Sequence, residues 1–108
     1  MRFLVIPTAL KNPVKIMECD VDNCLEAYQS GVQGYIESYP ARFQNPAVML
    51  YVNEDGRLRQ MPINEHLRKL GFVIVGPAVI TCVDEAREDD VGLLPTQNET
   101  NWQSLLQK

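Results

Sequence analysis

The chain has 108 residues, 45% of them hydrophobic, which is enough for one domain with its own core and too short for two. Its formal net charge of −4 is the opposite of the basic face that a nucleic-acid-binding protein needs. No apolar run approaches the roughly 20 residues that cross a bilayer, and the opening segment is too short for a signal peptide. We therefore expect a cytoplasmic protein without nucleic-acid or membrane contact.

Hydrophobic periodicity and turn residues predict eight elements along the chain. In chain order they are strands at 2–8 and 14–18, a helix from 22 or 23 to 33, strands at 35–39, 47–52 and 57–60, a helix at 65–70, and a strand or strand pair at 72–75 and 78–83. Residues 96–100 read as a polar linker, and residues 101–108 as a short amphipathic tail with Trp102, Leu105 and Leu106 at helical spacing. The predicted division is a domain at 1–95 and a tail at 96–108.

The helix boundaries rest on capping residues. Asp22 or Asn23 begins the first helix, and Gly34 is expected to end it in a left-handed conformation. Asp20, Asp22 and Glu26 lie near the beginning of this helix, where the positive end of the helix dipole favours acidic side chains. Asn64 caps the second, shorter helix.

The strand boundaries rest on glycine and proline. Asp55-Gly56 predicts a hairpin that returns the chain as a short edge strand at 57–60. Pro77 cannot donate a ladder hydrogen bond, so Gly76-Pro77 is expected to be a bulge, a bend or a turn. The nearly continuous apolar run at 47–52 predicts a central strand covered on at least one face.

The predicted fold class is α+β, an antiparallel sheet of about five to six strands with two helices packed on one face. The predicted order is β-β-α-β-β-β-α-β, a two-layer arrangement.

Several short segments, in this order, resemble a family of small domains of unknown function that bacteriophages, plasmids and other mobile elements carry. They are Phe3-Leu4-Val5-Ile6-Pro7, Gly34-Tyr35-Ile36-Glu37, residues 50–56, Pro62-x-Asn64, Val75-Gly76-Pro77 and residues 89–93. The chain departs from the resemblance where Gln33 replaces the first of two adjacent glycines, and from Thr96 onward, where it has no counterpart. The resemblance implies a mobile-element origin and supplies no catalytic residue.

The cysteines and the single histidine do not predict a reactive site. Cys19, Cys24 and Cys82 are odd in number and contain no Cys-x-x-Cys pair, so we expect three reduced cysteines and neither a disulfide framework nor a zinc ribbon. His66 has no nucleophile or orienting acid named by the sequence, and a surface position is the expectation for it. No catalytic residue, metal ligand or cofactor is predicted.

Two groups of residues are candidate protein contacts. Residues 84–90 contain five acids and one base, while the nine acids and nine bases elsewhere cancel, so the excess charge lies in this acidic run. The run lacks the alternating ligands and the glycine of an EF-hand, which leaves a solvated loop, a protein-facing acidic patch or weak cation binding. Its acids are Asp84, Glu85, Glu88, Asp89 and Asp90. The second group is one face of the strand at 35–39, Tyr35, Glu37 and Tyr39, which either contacts a partner or packs under a helix.

Three functions fit these features. The first hypothesis is a non-enzymatic accessory protein of a phage or mobile element that binds a host protein and inhibits a host defence or nucleic-acid-processing system. The second is a small-ligand or nucleotide-binding module of phage metabolism, with Asn53, Asn64 and Tyr35 converging in a pocket. The third is a homo-oligomer that assembles through the tail or a sheet edge.

Overall fold

The computed structural model describes residues 1–84, 86 and 89–108. The core of this region is an antiparallel sheet whose strand order differs from the order along the chain. Its strands are β1 (Arg2–Ile6), β2 (Lys15–Glu18), β3 (Ile36–Ser38), β4 (Val48–Asn53), β5 (Ala78–Asp84) and β6 (Asp89–Asp90). Its α-helices are α1 (Cys24–Val32), which follows the 3₁₀ turn Val21–Asn23, and α2 (Glu65–Arg68); a 3₁₀ helix spans Trp102–Leu106. The predicted class, an α+β fold with an antiparallel sheet of five to six strands and two helices, is confirmed.

The sheet is organised around β5. The strand order is β2-β1-β5-β4-β3, with β6 pairing the far end of β5. Ile80 of β5 lies opposite Leu4 of β1 and Leu50 of β4, so three apolar side chains form one row across the centre of the sheet. Because β5 is hydrogen-bonded on both sides, its apolar sequence is buried throughout its first five residues.

The two faces of the sheet are covered by different parts of the chain. Helix α1 packs its buried residues Cys24, Tyr28 and Val32 against Phe3 and Val79. On the opposite face lies the larger core cluster, which joins alternate residues of β1, β4 and β5 to α2, the segment after it and the C-terminal 3₁₀ helix. Its members outside the sheet include Leu67, Phe72, Ile74, Trp102, Leu105 and Leu106.

The placement of both helices on one face is therefore a prediction that the structure corrects. Alternate side chains of a strand point to opposite faces, and in β5 both sets are apolar: Ala78 and Ile80 face α2, while Val79 faces α1. A strand with two apolar faces needs cover on both. The continuous apolar run had indicated this, but the prediction assigned both helices to one side.

Two predicted strands are absent from the described structure. Residues 57–60 form consecutive turns, because Arg59 donates its backbone N–H to Asp55 and Met61 donates to Gly56, which leaves no ladder for an edge strand. Gly56 does not adopt the positive φ of a two-residue hairpin; it packs against Val75, and a Cβ there would lie 2.9 Å from a Val75 methyl group. Residues 72–75 contribute only the isolated bridge between Ile63 and Val75.

The end of α1 also differs from its prediction. Gln33, rather than Gly34, takes the left-handed conformation, with φ of 64° and its N–H bonded to the carbonyls of Gln29 and Ser30. In the family that the sequence resembles, this position is more often a glycine, which adopts the left-handed conformation without strain. Gly34 is required for a different reason, since a Cβ on it would lie 2.6 Å from Nδ2 of Asn53.

Asn64 connects three elements from a fully buried position. Its Nδ2 donates to the carbonyls of Ile6 at 3.1 Å and Gly76 at 3.1 Å, and its Oδ1 accepts the Leu67 N–H at 3.1 Å, which caps α2 as predicted. One carboxamide thus joins the end of β1, the beginning of α2 and the turn before β5.

Replacing Asn64 with alanine should lower the free energy of unfolding by about 2–4 kcal/mol, because two buried carbonyls and a helix N–H lose their partner. Urea denaturation followed by circular dichroism measures the change. Asn45→Ala is the matched control: Oδ1 of Asn45 accepts only the Ala47 N–H in an exposed turn, and a loss below about 1 kcal/mol is expected. Equal losses in both variants would contradict the assignment.

The tail packs into the chain's own core. Trp102, Leu105 and Leu106 are all buried, and the Gln44 N–H donates to the Gln107 carbonyl at 2.6 Å.

Trp102→Ala should therefore cost about 3–5 kcal/mol of unfolding free energy, as large aromatic truncations in a core do. Gln103→Ala, on the exposed side of the same 3₁₀ helix, should stay within about 0.5 kcal/mol of the parent. A Trp102→Ala variant as stable as the parent would indicate that residues 1–95 fold without the tail.

Candidate functional site

The acidic run is divided between a strand and residues outside the described structure. Glu85 and Glu88 lie outside the described residues. Asp84 ends β5 and is paired with Asp89 of β6, so the run is a hairpin and not only a solvated loop. After β6 the chain continues along β1, where the Leu93 N–H donates to the Arg2 carbonyl at 2.9 Å.

Asp90 belongs to a partly buried polar cluster under α1. The Tyr28 hydroxyl is hydrogen-bonded to the Thr81 hydroxyl, with the two oxygens 3.2 Å apart, and also interacts with the Asp90 carboxylate, while the Tyr51 ring stacks on the Tyr28 ring at 5.5 Å. Because Tyr28 and Thr81 are buried, Asp90 is held against the protein and is not a freely solvated contact residue.

This environment shifts three pKa values upward. Burial raises the pKa of Asp90, the hydrogen bond from Tyr28 offsets part of the rise, and the Asp89 charge adds to it. Burial also raises the pKa of Tyr28 to about 12, with the Thr81 hydrogen bond opposing and the Asp90 charge reinforcing the shift. The pKa of Tyr51 is raised by burial first and by the Asp90 charge second.

A second set of carboxylates lies next to this hairpin. Glu18, Asp20 and Glu26 line an open cavity of about 480 Å³ together with Met1. Met1 also contacts the chain that follows β6, because a Cβ on Gly92 would lie 3.0 Å from the Met1 Cβ. Met1 thus touches both the cavity that these carboxylates line and the chain that follows the β5–β6 hairpin. We call this surface the acidic end; its described members are Glu18, Asp20, Glu26, Asp84, Asp89 and Asp90.

The acidic end includes exposed apolar side chains and a few positive groups. Val21 is 73% exposed and Leu25 is 57% exposed, four residues apart at the beginning of α1. The N-terminal ammonium donates to the Cys19 carbonyl at 2.7 Å, and Nη1 of Arg2 donates to the Leu94 carbonyl at 3.1 Å. Within the part of the chain that the structure describes, Arg68–Glu65 is the one ion pair, and it lies on α2.

A disulfide holds the acidic end together. Cys19, just after β2, is bonded to Cys24 in the first turn of α1, with Cα atoms 5.3 Å apart. The prediction of three reduced cysteines was wrong for this pair, because it considered Cys-x-x-Cys spacing and not the 3₁₀ turn that reverses the chain between them. Cys82 is free and buried, as predicted. Burial raises the pKa of its thiol, with the Gln97 hydrogen bond opposing, so reactive thiolate is disfavoured.

The predicted contact residues on the strand at 35–39 lie elsewhere, at the edge of the sheet. Tyr35 is 67% exposed and Glu37 is exposed, whereas Tyr39 packs edge-on against Phe72 with ring centroids 5.7 Å apart. The alternative that these tyrosines pack under a helix therefore holds for neither ring, since Tyr39 contacts a loop phenylalanine. Glu37 and Tyr39 line a groove of about 270 Å³ that the sequence did not indicate.

The remaining candidates have structural partners. Nε2 of His66 donates to the Asn12 carbonyl at 2.8 Å and lies 3.1 Å from the Ala9 carbonyl, so the ring links α2 to the β1–β2 connection. The described residues contain no group of three His, Cys, Asp or Glu side chains that could hold a metal ion. No described helix has the length and apolar character of a membrane span.

The residues proposed for a small-ligand pocket are not brought together. Asn53 faces α1, where its Nδ2 donates to the Val32 carbonyl at 2.9 Å and its Oδ1 accepts the Asp55 N–H at 2.8 Å. Asn64 lies on the opposite face of the sheet, and Tyr35 points to solvent. The ligand-binding alternative therefore stays a prediction without an assembled pocket.

Sequence reasoning missed part of the acidic end because Asp20 and Glu26 were explained by the helix dipole. That explanation is local, and it does not reveal that the beginning of α1 lies beside β6. The signal available in the sequence was the excess of acids over bases at 18–26, where four acids occur without a base.

Replacing Asp90 with asparagine should raise the unfolding free energy at neutral pH. The raised pKa means that the folded state binds a proton on Asp90 more tightly than the unfolded state does, so this contribution is fully present below about pH 4 and is lost as the pH rises through the folded-state pKa. The unfolding free energy of the variant should therefore exceed that of the parent at neutral pH and equal it near pH 4. Urea denaturation at several pH values measures this, and Glu99→Gln, on an exposed turn, is the charge-matched control. A variant less stable than the parent at neutral pH would contradict the prediction.

Comparison with known proteins identifies the family of the chain. No curated protein and no solved structure is significantly similar to the chain. One family model matches residues 1–107, which includes the tail that the sequence resemblance had left without a counterpart. The chain belongs to the family described as Domain of unknown function (DUF3846).

Proposed function

We propose that the protein is a non-enzymatic accessory protein of a phage or other mobile element that binds a host protein and thereby inhibits a host defence or nucleic-acid-processing system. The single observation that supports this most is the acidic end. There, Glu18, Asp20 and Glu26 line a cavity beside the beginning of α1, where Val21 and Leu25 are exposed. A surface of this kind suits a protein partner with basic side chains around an apolar patch.

The acidic end is a larger negative surface than the run at 84–90 alone. Glu18, Asp20 and Glu26 are exposed and line the cavity that Met1 also lines. At physiological ionic strength, screening limits the range of each charge's electrostatic interaction to roughly 8 Å. Carboxylates on neighbouring segments therefore present a larger negative surface to a partner than one loop does. The partner is therefore a protein with a basic groove or ridge that contacts both segments.

Asp90 has a supporting role in this proposal. Its contact with Tyr28 fixes β6 against α1, and the exposed acids of the two segments are held in one orientation. The Cys19–Cys24 disulfide fixes the other side of the cavity. A preorganised surface loses less conformational entropy on binding, which increases affinity.

The test begins with affinity capture from a host lysate and mass spectrometry, followed by binding measurements with the purified partner. Glu18→Gln combined with Glu26→Gln should weaken binding by about two- to tenfold at physiological salt and reduce its salt dependence. Glu65→Gln combined with Glu99→Gln removes the same charge from other surfaces and should leave affinity unchanged. Neutralising the acidic run at 84–90 provides a second, independent variant.

Unchanged affinity and salt dependence in both acidic-end variants would reject this surface as the contact. Turnover of a substrate by the purified protein would reject the non-enzymatic assignment.

A further inference from the structure

Strand β3 has one paired side and one open side. Its register with β4 places Glu37 opposite Val52, and the flanking bonds run from Glu54 N–H to the Tyr35 carbonyl at 2.9 Å and from Tyr39 N–H to the Leu50 carbonyl at 2.8 Å. Odd-numbered residues therefore direct their backbone groups at β4, and by alternation Ile36 and Ser38 direct theirs outward. Among the described strands, β3 is the last at this end of the sheet.

A groove runs beside this open edge on the face that carries the larger core cluster. Its lining includes Glu37 and Tyr39 from the β3 end and also Leu58 and Val73, which are 86% and 65% exposed. Because both line the same groove, these two exposed side chains offer an apolar contact to a partner's side chain. An extended segment added to β3 would project alternate side chains into the groove, as strand-addition complexes do.

Charge and register together determine what this edge accepts. With Ile36 and Ser38 as the hydrogen-bonding positions, Glu37 becomes the centre of a non-hydrogen-bonded pair, where facing side chains are closest. A second copy of this chain paired across a two-fold axis at Glu37 would place Glu37 opposite Glu37, which is destabilising. Axes at Ile36 or Ser38 would place it opposite Tyr35 or Tyr39, neither of which supplies a positive charge. The groove also contains Glu54 and Arg57, so carboxylates exceed bases there. A lysine or arginine opposite Glu37 would form a favourable cross-strand pair of opposite charges.

We propose that the open edge of β3 binds an extended segment of a partner protein in antiparallel pairing, with Lys or Arg opposite Glu37. In an antiparallel pair, the residue opposite Tyr39 comes two positions before the one opposite Glu37. The bound segment therefore carries an apolar side chain, then any residue, then Lys or Arg, and the apolar side chain contacts Tyr39, Leu58 and Val73. This inference rests on the proposed function in that the protein acts by binding another protein, but it uses a different surface from the acidic end.

The experiment is selection of a random-sequence displayed peptide library on the full chain and on two charge variants. The parent should enrich apolar-x-Lys/Arg peptides, and Glu37→Lys should enrich peptides with Asp or Glu at the same position. Glu99→Lys, the matched control on a remote turn, should select as the parent does. An individual parent-selected peptide should lose on the order of tenfold in affinity for Glu37→Lys.

Ser38→Pro tests the backbone part of the inference, because proline removes an outward N–H without removing a β3–β4 bond. Peptide binding should be lost while circular dichroism stays that of the parent, and a variant that unfolds leaves the charge exchange as the deciding result. Absence of a positional preference, or the same preference in Glu37→Lys, would overturn the proposal. Sedimentation that detects a dimer abolished by Ser38→Pro would also overturn it, in favour of a second copy.

The outcomes separate this inference from the proposed function. Peptide selection without charge exchange at Glu37, combined with host-partner binding that depends on Glu18 and Glu26, would reject the β3 edge alone. Charge exchange at Glu37 with no contribution from the acidic end would retain the edge and reject the acidic end as the contact.

Discussion

The fold depends on the buried carboxamide of Asn64 more than on any other single polar group. It is one of few polar side chains inside an apolar core, and its three hydrogen bonds reach β1, α2 and the turn that precedes β5. The backbone adds a fourth connection, because the Asn64 N–H donates to the Ile74 carbonyl at 2.7 Å. In a low-dielectric interior such bonds are strong and directional, so they determine how the irregular segment 56–76 lies on the sheet.

That segment and the C-terminal 3₁₀ helix cover one face of the sheet. The covering layer contains little regular secondary structure. Helix α2 has only four residues, which is too short to be stable by itself, so its stability comes from packing of Leu67 and from the Asn64 cap. Phe72 connects the parts of this cover: Tyr39 and Phe43 pack on its ring, and Nζ of Lys108 lies 4.6 Å from its centroid. The chain's first and last segments are thereby part of one core.

The two candidate contact surfaces lie at separate places. The acidic end is at the junction of β2, α1 and β6, where a disulfide and the Tyr28–Asp90 contact hold the segments together. The groove is at the β3 edge, where the turns at 57–60 contribute Arg57 and Leu58 to its lining. Because β4 is already paired with β3 and β5, residues 57–60 have no place beside it as a strand, and as turns they expose Leu58.

The sequence by itself determined the α+β class, the position of most strands and the cap of α2, because alternation, turn residues and capping are local properties of the chain. It also indicated the acidic excess at 84–90, while it left open whether the face of Tyr35, Glu37 and Tyr39 is exposed or packed under a helix. Only the tertiary structure decided that the helices cover opposite faces, that Cys19 and Cys24 are bonded, that Asp90 is held under α1, and that the tail fills the core. These features depend on which distant segments become neighbours in space. A pattern read along one segment contains no information about the segment that packs against it.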